Sequence, residues 1–197
     1  MRSCCRHGLA LGWLLLLLLD MPAFACDAAA NPRGGEAPAA RVAAILSVAQ
    51  AGTASRPVIY DILLFNRGSG DRPDDPVSDE LVDVLPAELA LRRVDADAGT
   101  ITVDLAGNRV RWNGALASGA AAVAIRIEAD VVATPPATIR NQACAAYDSN
   151  GDGRNGRTVL STDPSHPGAA VPTTFRFAGA QARRPRYRRH PASSSPP

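Results

Sequence analysis

Nine residues decide the fold: Val123-Ala124-Ile125-Arg126-Ile127-Glu128-Ala129-Asp130-Val131. Valine, isoleucine and alanine take one set of alternate positions, while Ala124, Arg126, Glu128 and Asp130 take the other. Strict period two sends one set toward an apolar core and the other toward water, the mark of a half-buried antiparallel strand. The same alternation recurs in shorter runs on either side. Ile101, Val103 and Leu105 alternate with Thr102 and Asp104. The turn Gly107-Asn108 then leads to Val110 and Trp112, set between Arg109 and Arg111. Upstream, the run Val58 to Phe65 (VIYDILLF) ends in the turn-former Asn66-Arg67-Gly68-Ser69-Gly70.

Together these runs predict strands near 41–50, 57–65, 80–84, 89–95, 100–105, 108–113, 121–132 and 137–147, with a short one near 157–161. Turn signals every 8–12 residues or so, with little helical periodicity, argue for an all-β sandwich. One open sheet of this size would leave an apolar face in water, and folding it onto a second sheet buries both faces. Aromatics are only 5% of the 197 residues, so the core is predicted to be Val, Ile, Leu and Ala around Trp112.

The ends of the chain read differently. Arg2 and Arg6 precede an apolar run from Leu9 to Leu19, and Ala23-Phe24-Ala25 supplies a small-x-small cleavage site. Residues 1–25 are therefore read as a signal peptide, too short in its apolar part for the roughly 20 residues of a bilayer-spanning helix. Residues 26–40 are an Ala/Gly/Pro-rich flexible linker, 41–178 the folded domain, and 179–197 a basic, Pro/Ser-rich disordered tail. The mature chain is expected to have no transmembrane segment and to be exported, whether periplasmic, surface-bound or extracellular. Cys26, directly after the cleavage site, is the alternative attachment point of a lipid anchor; ordinary cleavage is matched better, because Ala23 and Phe24 depart from a lipobox.

Composition excludes several chemistries. All 21 cationic residues are arginine, so there is no lysine for a Schiff base, a Ser–Lys dyad or a P-loop. Of three histidines, His166 alone lies within the domain, in the turn sequence SHPG. Asp71, Asp74, Asp75 and Asp79 form an acid run broken by prolines, read as a solvated loop or a second weak calcium site rather than a glycosidase pair. No Walker, Rossmann or zinc spacing occurs, and the chain is not read as an enzyme. The domain carries 13 arginines against 16 acids, the tail five arginines and no acid. The tail's charge offers contact with anionic lipid, lipopolysaccharide or nucleic acid, but no specific nucleic-acid partner is implied and a solvated tail is the plainer reading.

Two constellations remain. Asp148-Ser149-Asn150-Gly151-Asp152-Gly153 has the D-x-N-x-D-G spacing that converges side-chain oxygens on calcium. Val159 occupies the place of an EF-hand's closing glutamate, so that motif is excluded. The candidate ligands are Asp148, Asn150 and Asp152, with the carbonyl of Arg154, the side chain of Asn155 or Asp163 completing the set. The competing reading is an Asx-rich turn without metal. Cys144 falls on the outward phase beside Arg140 and Gln142, opposite Ile139, Ala143, Ala145 and Tyr147. An outward thiol in an oxidising compartment suggests a disulfide with Cys26, whose 15-residue tether to Arg41 can reach about 50 Å. The alternatives are a free thiol, or an intermolecular disulfide if Cys26 is lipidated.

Four segments, in order, resemble a known family. Pro57 to Gly70 (PVIYDILLFNRGSG) is similar to its xxYxIxVxNxG strand, and Leu81 to Leu89 (LVDVLPAEL) to VxDxLPAGL. Val110-Arg111-Trp112 before Gly114 to Gly119 resembles VTWxLGxLxxGxS, and Ile139 to Tyr147 (IRNQACAAY) resembles IxNTATVSY. The family is the conserved-repeat domain of bacterial envelope and surface proteins, a domain of unknown function. The resemblance implies a single immunoglobulin-like antiparallel β-sandwich of about seven to nine strands. Glu88 departs from the family's glycine and implies a different turn after Pro86. The function it implies is an exported, non-catalytic structural or interaction module of the cell envelope with a protein or glycan partner. The alternatives are a calcium-stabilised carbohydrate-binding module, with Tyr187 and Phe175 as candidate stacking aromatics, and a periplasmic accessory subunit of a secretion or pilus system.

Overall fold

The structure, a computed structural model, describes residues 40–51, 57–71 and 74–178. The signal peptide, the linker with Cys26, and the basic tail with Tyr187 lie outside the described residues.

Eleven strands occur in chain order: β1 (Val42–Gln50), β2 (Val58–Asn66), β3 (Leu81–Val84), β4 (Leu89–Ala96), β5 (Thr100–Asp104), β6 (Arg109–Asn113), β7 (Val123–Val131), β8 (Ala137–Asn141), β9 (Cys144–Tyr147), β10 (Arg157–Leu160) and β11 (Thr173–Phe177). They form a four-stranded sheet β1-β2-β7-β4, a five-stranded sheet β10-β9-β3-β6-β5 and a pair β11-β8. All named pairings are antiparallel. The chain crosses from the first sheet to the second after β2, back for β4, over again for β5 and β6, and back for β7. Such crossing between two packed sheets is the organisation of an immunoglobulin-like sandwich.

The alternation in β7 is realised as read. Val123, Ile125, Ile127 and Ala129 are buried, and Arg126 and Asp130 are exposed. β2 lies between β7 and β1, with Tyr60 opposite Ile127 and Ile62 opposite Ile125. Its inner face (Val58, Tyr60, Ile62, Leu64) is fully buried. From the facing sheet come Leu81, Val110 and Trp112, and from the pair Ile139, Phe175 and Phe177, all in one apolar cluster. Each buried Val, Leu or Ile contributes about 1.5–3 kcal/mol, so this cluster drives folding.

Three differences from the sequence reading have local causes. The segment 137–147 is two strands, because the chain leaves its pairing with β11 after Asn141 and joins β3 and β10 from Cys144. β11 was not among the predicted strands: its five residues TTFRF carry a single alternation, too short to stand out. In β4 the alternation fails at Arg92-Arg93, both exposed, where a bulge shifts the register between Leu91 and Arg93. The free edge of β1 is partly covered, since the Leu46 amide donates to the Thr162 carbonyl and the Thr162 amide to the Ala44 carbonyl across a short parallel bridge.

Trp112 is fully buried and its indole Nε1 donates to the carbonyl of Ala98 at 2.7 Å. Gly99 follows at φ +75°, and a Cβ there would overlap the indole and the carbonyl of Asn113. Gly99→Ala is expected to lower stability by more than the roughly 1–2 kcal/mol that a left-handed backbone costs an L-residue, measured by urea denaturation. An unchanged midpoint would show that the turn does not pack on Trp112.

Candidate functional site

The two acid-rich loops are built on buried carboxyls. In the loop after β9, Asp148 is 2% exposed. Its Oδ1 accepts hydrogen bonds from the amides of Asn150 at 3.0 Å and Gly151 at 2.7 Å, and its Oδ2 from Gly153 at 2.7 Å. Burial pushes this carboxyl up, but the amides of Gly153, Asn150 and Gly151 outweigh it and hold it below the usual carboxylate range. Gly151 and Gly153 both have φ +79°, which lets the backbone turn its amides inward onto one side chain. Asp152 caps the next turn by accepting from the Arg154 amide at 2.9 Å, and Asn150 Nδ2 donates to it at 3.1 Å.

The sequence-derived calcium ligands are thus only partly assembled. Asp148, Asn150 and Asp152 share this loop. The carbonyl of Arg154 is taken by the Gly156 amide at 2.8 Å, and Asn155 turns away toward another loop. Asp163 belongs to a separate turn, where it accepts from Ser165. Among the described residues, no group of three or more His, Cys, Asp or Glu side chains is arranged to hold a metal ion. Two carboxylates already holding loop amides fall short of the six to eight oxygens that calcium takes. A calcium ion here would need oxygens beyond those of Asp148, Asn150 and Asp152.

The acid run before β3 is not a solvated loop throughout: Asp75 is 7% and Glu80 1% exposed. Glu80 Oε1 accepts from the Asp75 amide at 3.2 Å and from Asn155 Nδ2 at 2.9 Å, and its Oε2 from the Gly114 amide at 2.8 Å. Ser78 Oγ donates to Asp75 Oδ2 at 2.6 Å and accepts from Asn155 Nδ2 at 2.9 Å. The hydrogen bond from Ser78 and the Val77 amide hold the Asp75 carboxyl below its ordinary range. Asn113 Nδ2 donates to the carbonyls of Asp75 and Ser78. One network therefore ties the β2–β3 loop to the end of β6 and to the loop after β9. Glu80 is not among the candidate residues of the sequence, because period two places it out of phase with the inward Leu81 and Asp83 and so on the solvent side.

Among the described residues, Asp163, Ser165 and His166 form a grouping that superficially looks catalytic. Ser165 Oγ and Asp163 Oδ2 both approach His166 Nδ1, at 3.0 and 3.2 Å, and Ser165 Oγ also donates to Asp163 Oδ1 at 2.6 Å. A relay needs the nucleophile on one ring nitrogen and the carboxylate on the other. Here serine and aspartate share a nitrogen and bind each other, which closes a turn and activates nothing.

Cys144 is half-buried on β9, opposite Val82 of β3 and Leu160 of β10. It is the single cysteine among the described residues. Phe175, a candidate stacking aromatic, is buried instead, edge-on to Tyr60 with ring centroids 6.3 Å apart. It cannot stack on a sugar from there.

What the surface does present is charge and a strand edge. On the outer face of the four-stranded sheet Asp61 and Arg126 form a two-pronged pair at 2.8 and 3.0 Å, with Arg93–Asp95 and Arg92–Asp130 beside it. At the end of the five-stranded sheet, β5 pairs with β6 on one side, and Val103 and Leu105 are exposed at 41% and 65%. No helix among the described residues is long and apolar enough to cross a membrane.

Two outcomes follow. Asn155→Ala removes bonds to Ser78 and Glu80 and is expected to cost about 1–3 kcal/mol, whereas Asn150→Ala, in an exposed turn, costs about 0.5 kcal/mol or less. Urea denaturation of both variants checks this, and equal midpoints would contradict it. Melting in millimolar calcium and in chelator is expected to coincide; a rise of several degrees with calcium would show that the loop after β9 recruits ligands beyond those assembled here.

Comparison with known proteins places these features in context. No family model matches the chain, so the likeness to the conserved-repeat domain stays a resemblance of motifs. No curated protein matches it either. Among solved structures the chain is similar to the major pilin subunit BcpA of Bacillus cereus, with 11% identity over 70% of this chain and 40% of that one, at a TM-score of 0.47. It is also similar to the collagen-binding domain of a Staphylococcus aureus adhesin, with 12% identity over 70% of this chain and 96% of that domain, at a TM-score of 0.40. The collagen adhesin CNA of S. aureus gives 14% identity over 70% of this chain and 50% of that one, at 0.39. The chain thus spans less than half of the pilin and half of the longer adhesin, and the likeness is one of fold alone.

Proposed function

We propose that this chain is an exported, non-catalytic structural or interaction module of the bacterial cell envelope. The observation that carries the reading is the use made of its reactive side chains. Asp148 is wrapped by loop amides, Asp75 and Glu80 clamp loops together, and Asp163 and Ser165 satisfy each other in a turn. An acid or base for catalysis needs its lone pair or proton aimed at a substrate. These groups are aimed at loop amides and at neighbouring side chains.

Export is supported by the charged, apolar and small-residue succession of residues 1–25. In the same oxidising compartment, Cys144 and Cys26, the two cysteines that remain after residues 1–25 are removed, would form a disulfide that staples the linker to β9. Contact with a protein partner fits the open edge of β5, where backbone donors and acceptors can pair with an added strand while Val103 and Leu105 supply apolar contact.

Fractionation and crosslinking of a tagged full-length copy test the proposal. The expected result is processed protein outside the cytoplasm, crosslinked to an envelope component, with a Val103→Lys variant processed normally but crosslinked less. An unprocessed cytoplasmic domain would refute export, and unchanged crosslinking of the variant would refute the β5 edge as the contact.

A further inference from the structure

At the meeting of the three sheets the core contains a polar cluster that its surroundings do not explain. Asp83 of β3, from the five-stranded sheet, is fully buried, and its Oδ2 accepts from Asn141 Nδ2 at 2.9 Å. Asn141 ends β8 of the two-stranded sheet and is 3% exposed. Tyr60 of β2, from the four-stranded sheet, is fully buried, and burial first and then the charge of Asp83 push its phenol up. Asp83 Oδ1, Asn141 Oδ1 and Tyr60 Oη have no hydrogen-bond partner among the described residues. Buried polar atoms are nearly always paired, so three orphans in one cluster call for a physical account.

Among the described residues, the elements packed around Asp83 bring it no cation. From β6 its register partner is Val110, and Arg109 and Arg111, one residue to either side, belong to the opposite face, where Arg111 reaches Asp79 at 3.6 Å. From β9, Ala145 and Cys144 stand opposite Leu81 and Val82. β8 supplies the Asn141 amide, β2 the Tyr60 phenol, and β11 Thr173, in register with Asn141, and Phe175, packed on Tyr60. An ionised Asp83 would hold a buried charge against one hydrogen bond. A neutral carboxyl has an O–H to donate, and the amide oxygen of its own partner Asn141 is an orphan acceptor.

We propose that Asp83 is a proton-binding site of the folded domain, its carboxyl protonated and paired with the Asn141 amide through two antiparallel hydrogen bonds, Nδ2–H to Oδ2 and Oδ1–H to Oδ1. This makes the junction of the three sheets a pH-sensitive latch. In accord with that geometry, burial pushes the Asp83 carboxyl up to about 6, against the lowering effect of the Asn141 hydrogen bond. The folded state then binds a proton that the unfolded chain releases near pH 4. The latch's contribution is complete below the unfolded value and is lost as pH rises through about 6. Asp75, Asp148 and Asp163, whose carboxyls lie below their ordinary range, act in the opposite sense: what they contribute is lost on acidification.

The test compares the full mature chain with its Asp83→Asn variant, which keeps both hydrogen bonds and cannot ionise. Urea denaturation is followed from pH 4 to pH 8, alongside a carbon-13 titration of the wild-type side-chain carboxyls. Between pH 4 and pH 7 the wild-type unfolding constant is expected to grow on the order of a hundredfold relative to the variant's. One aspartate carboxyl, adjacent to the Asn141 side-chain amide, titrates near pH 6. If the variant fails to fold, that titration decides alone. Parallel pH profiles, or no aspartate carboxyl titrating above pH 5, would overturn the proposal.

Discussion

The carboxyl of Glu80 is where the architecture of the loops is decided. A sandwich of short strands packs its apolar faces readily, but the ends of those strands leave backbone groups that must find partners as they leave water. At this end of the core one buried side chain takes the amides of Asp75 and Gly114 and the amide group of Asn155. These belong to three connections far apart in sequence, and each would otherwise be an independent loop. The Glu80 backbone also takes part, donating to Trp112 and accepting from Ala146. The residue therefore couples the loops to the centre of the five-stranded sheet and to the largest side chain of the core.

The same economy governs the other acids. Asp148 turns three amides inward, Asp104 Oδ1 accepts from Gly107 at 2.8 Å, and Asp97 Oδ1 accepts from Ala124 at 3.0 Å, at the start of the long strand β7. Asn108, at φ 50°, does similar work between turns, bonding the carbonyls of Leu85, Pro86 and Leu89 and the amide of Leu91. A chain without lysine and nearly without domain histidine thus uses its acids and amides as fasteners. What remains exposed is a charged sheet face and a strand edge.

Much of this could be read from the chain alone because period two is a local signal. β7, β2 and β6 announce their inner faces, and the phase that puts Ile139, Ala143 and Ala145 inward holds across the break between β8 and β9. The buried polar groups were harder for the same reason. Asp83 sits between Val82 and Val84, so both faces of its strand are apolar and alternation does not choose between them. Asn141 shares the inward phase but lies in a polar stretch, Arg140 to Gln142, that composition assigns to solvent. The spacing of DSNGDG fits a cation loop and an Asx turn equally well. What separates the two is the direction of the amides of Gly151 and Gly153, a property of the folded backbone rather than of residue order.

The central claim is that the carboxyls are engaged with backbone, and native-state hydrogen exchange measures that directly. The amides of Gly114, Gly151, Gly153 and Asn155 lie in loops and have carboxylate oxygens as acceptors. They are predicted to exchange far more slowly than in an unstructured peptide, with Gly114 losing protection when Glu80 is replaced by alanine. Exchange of all four at free-peptide rates in the intact domain would contradict the account.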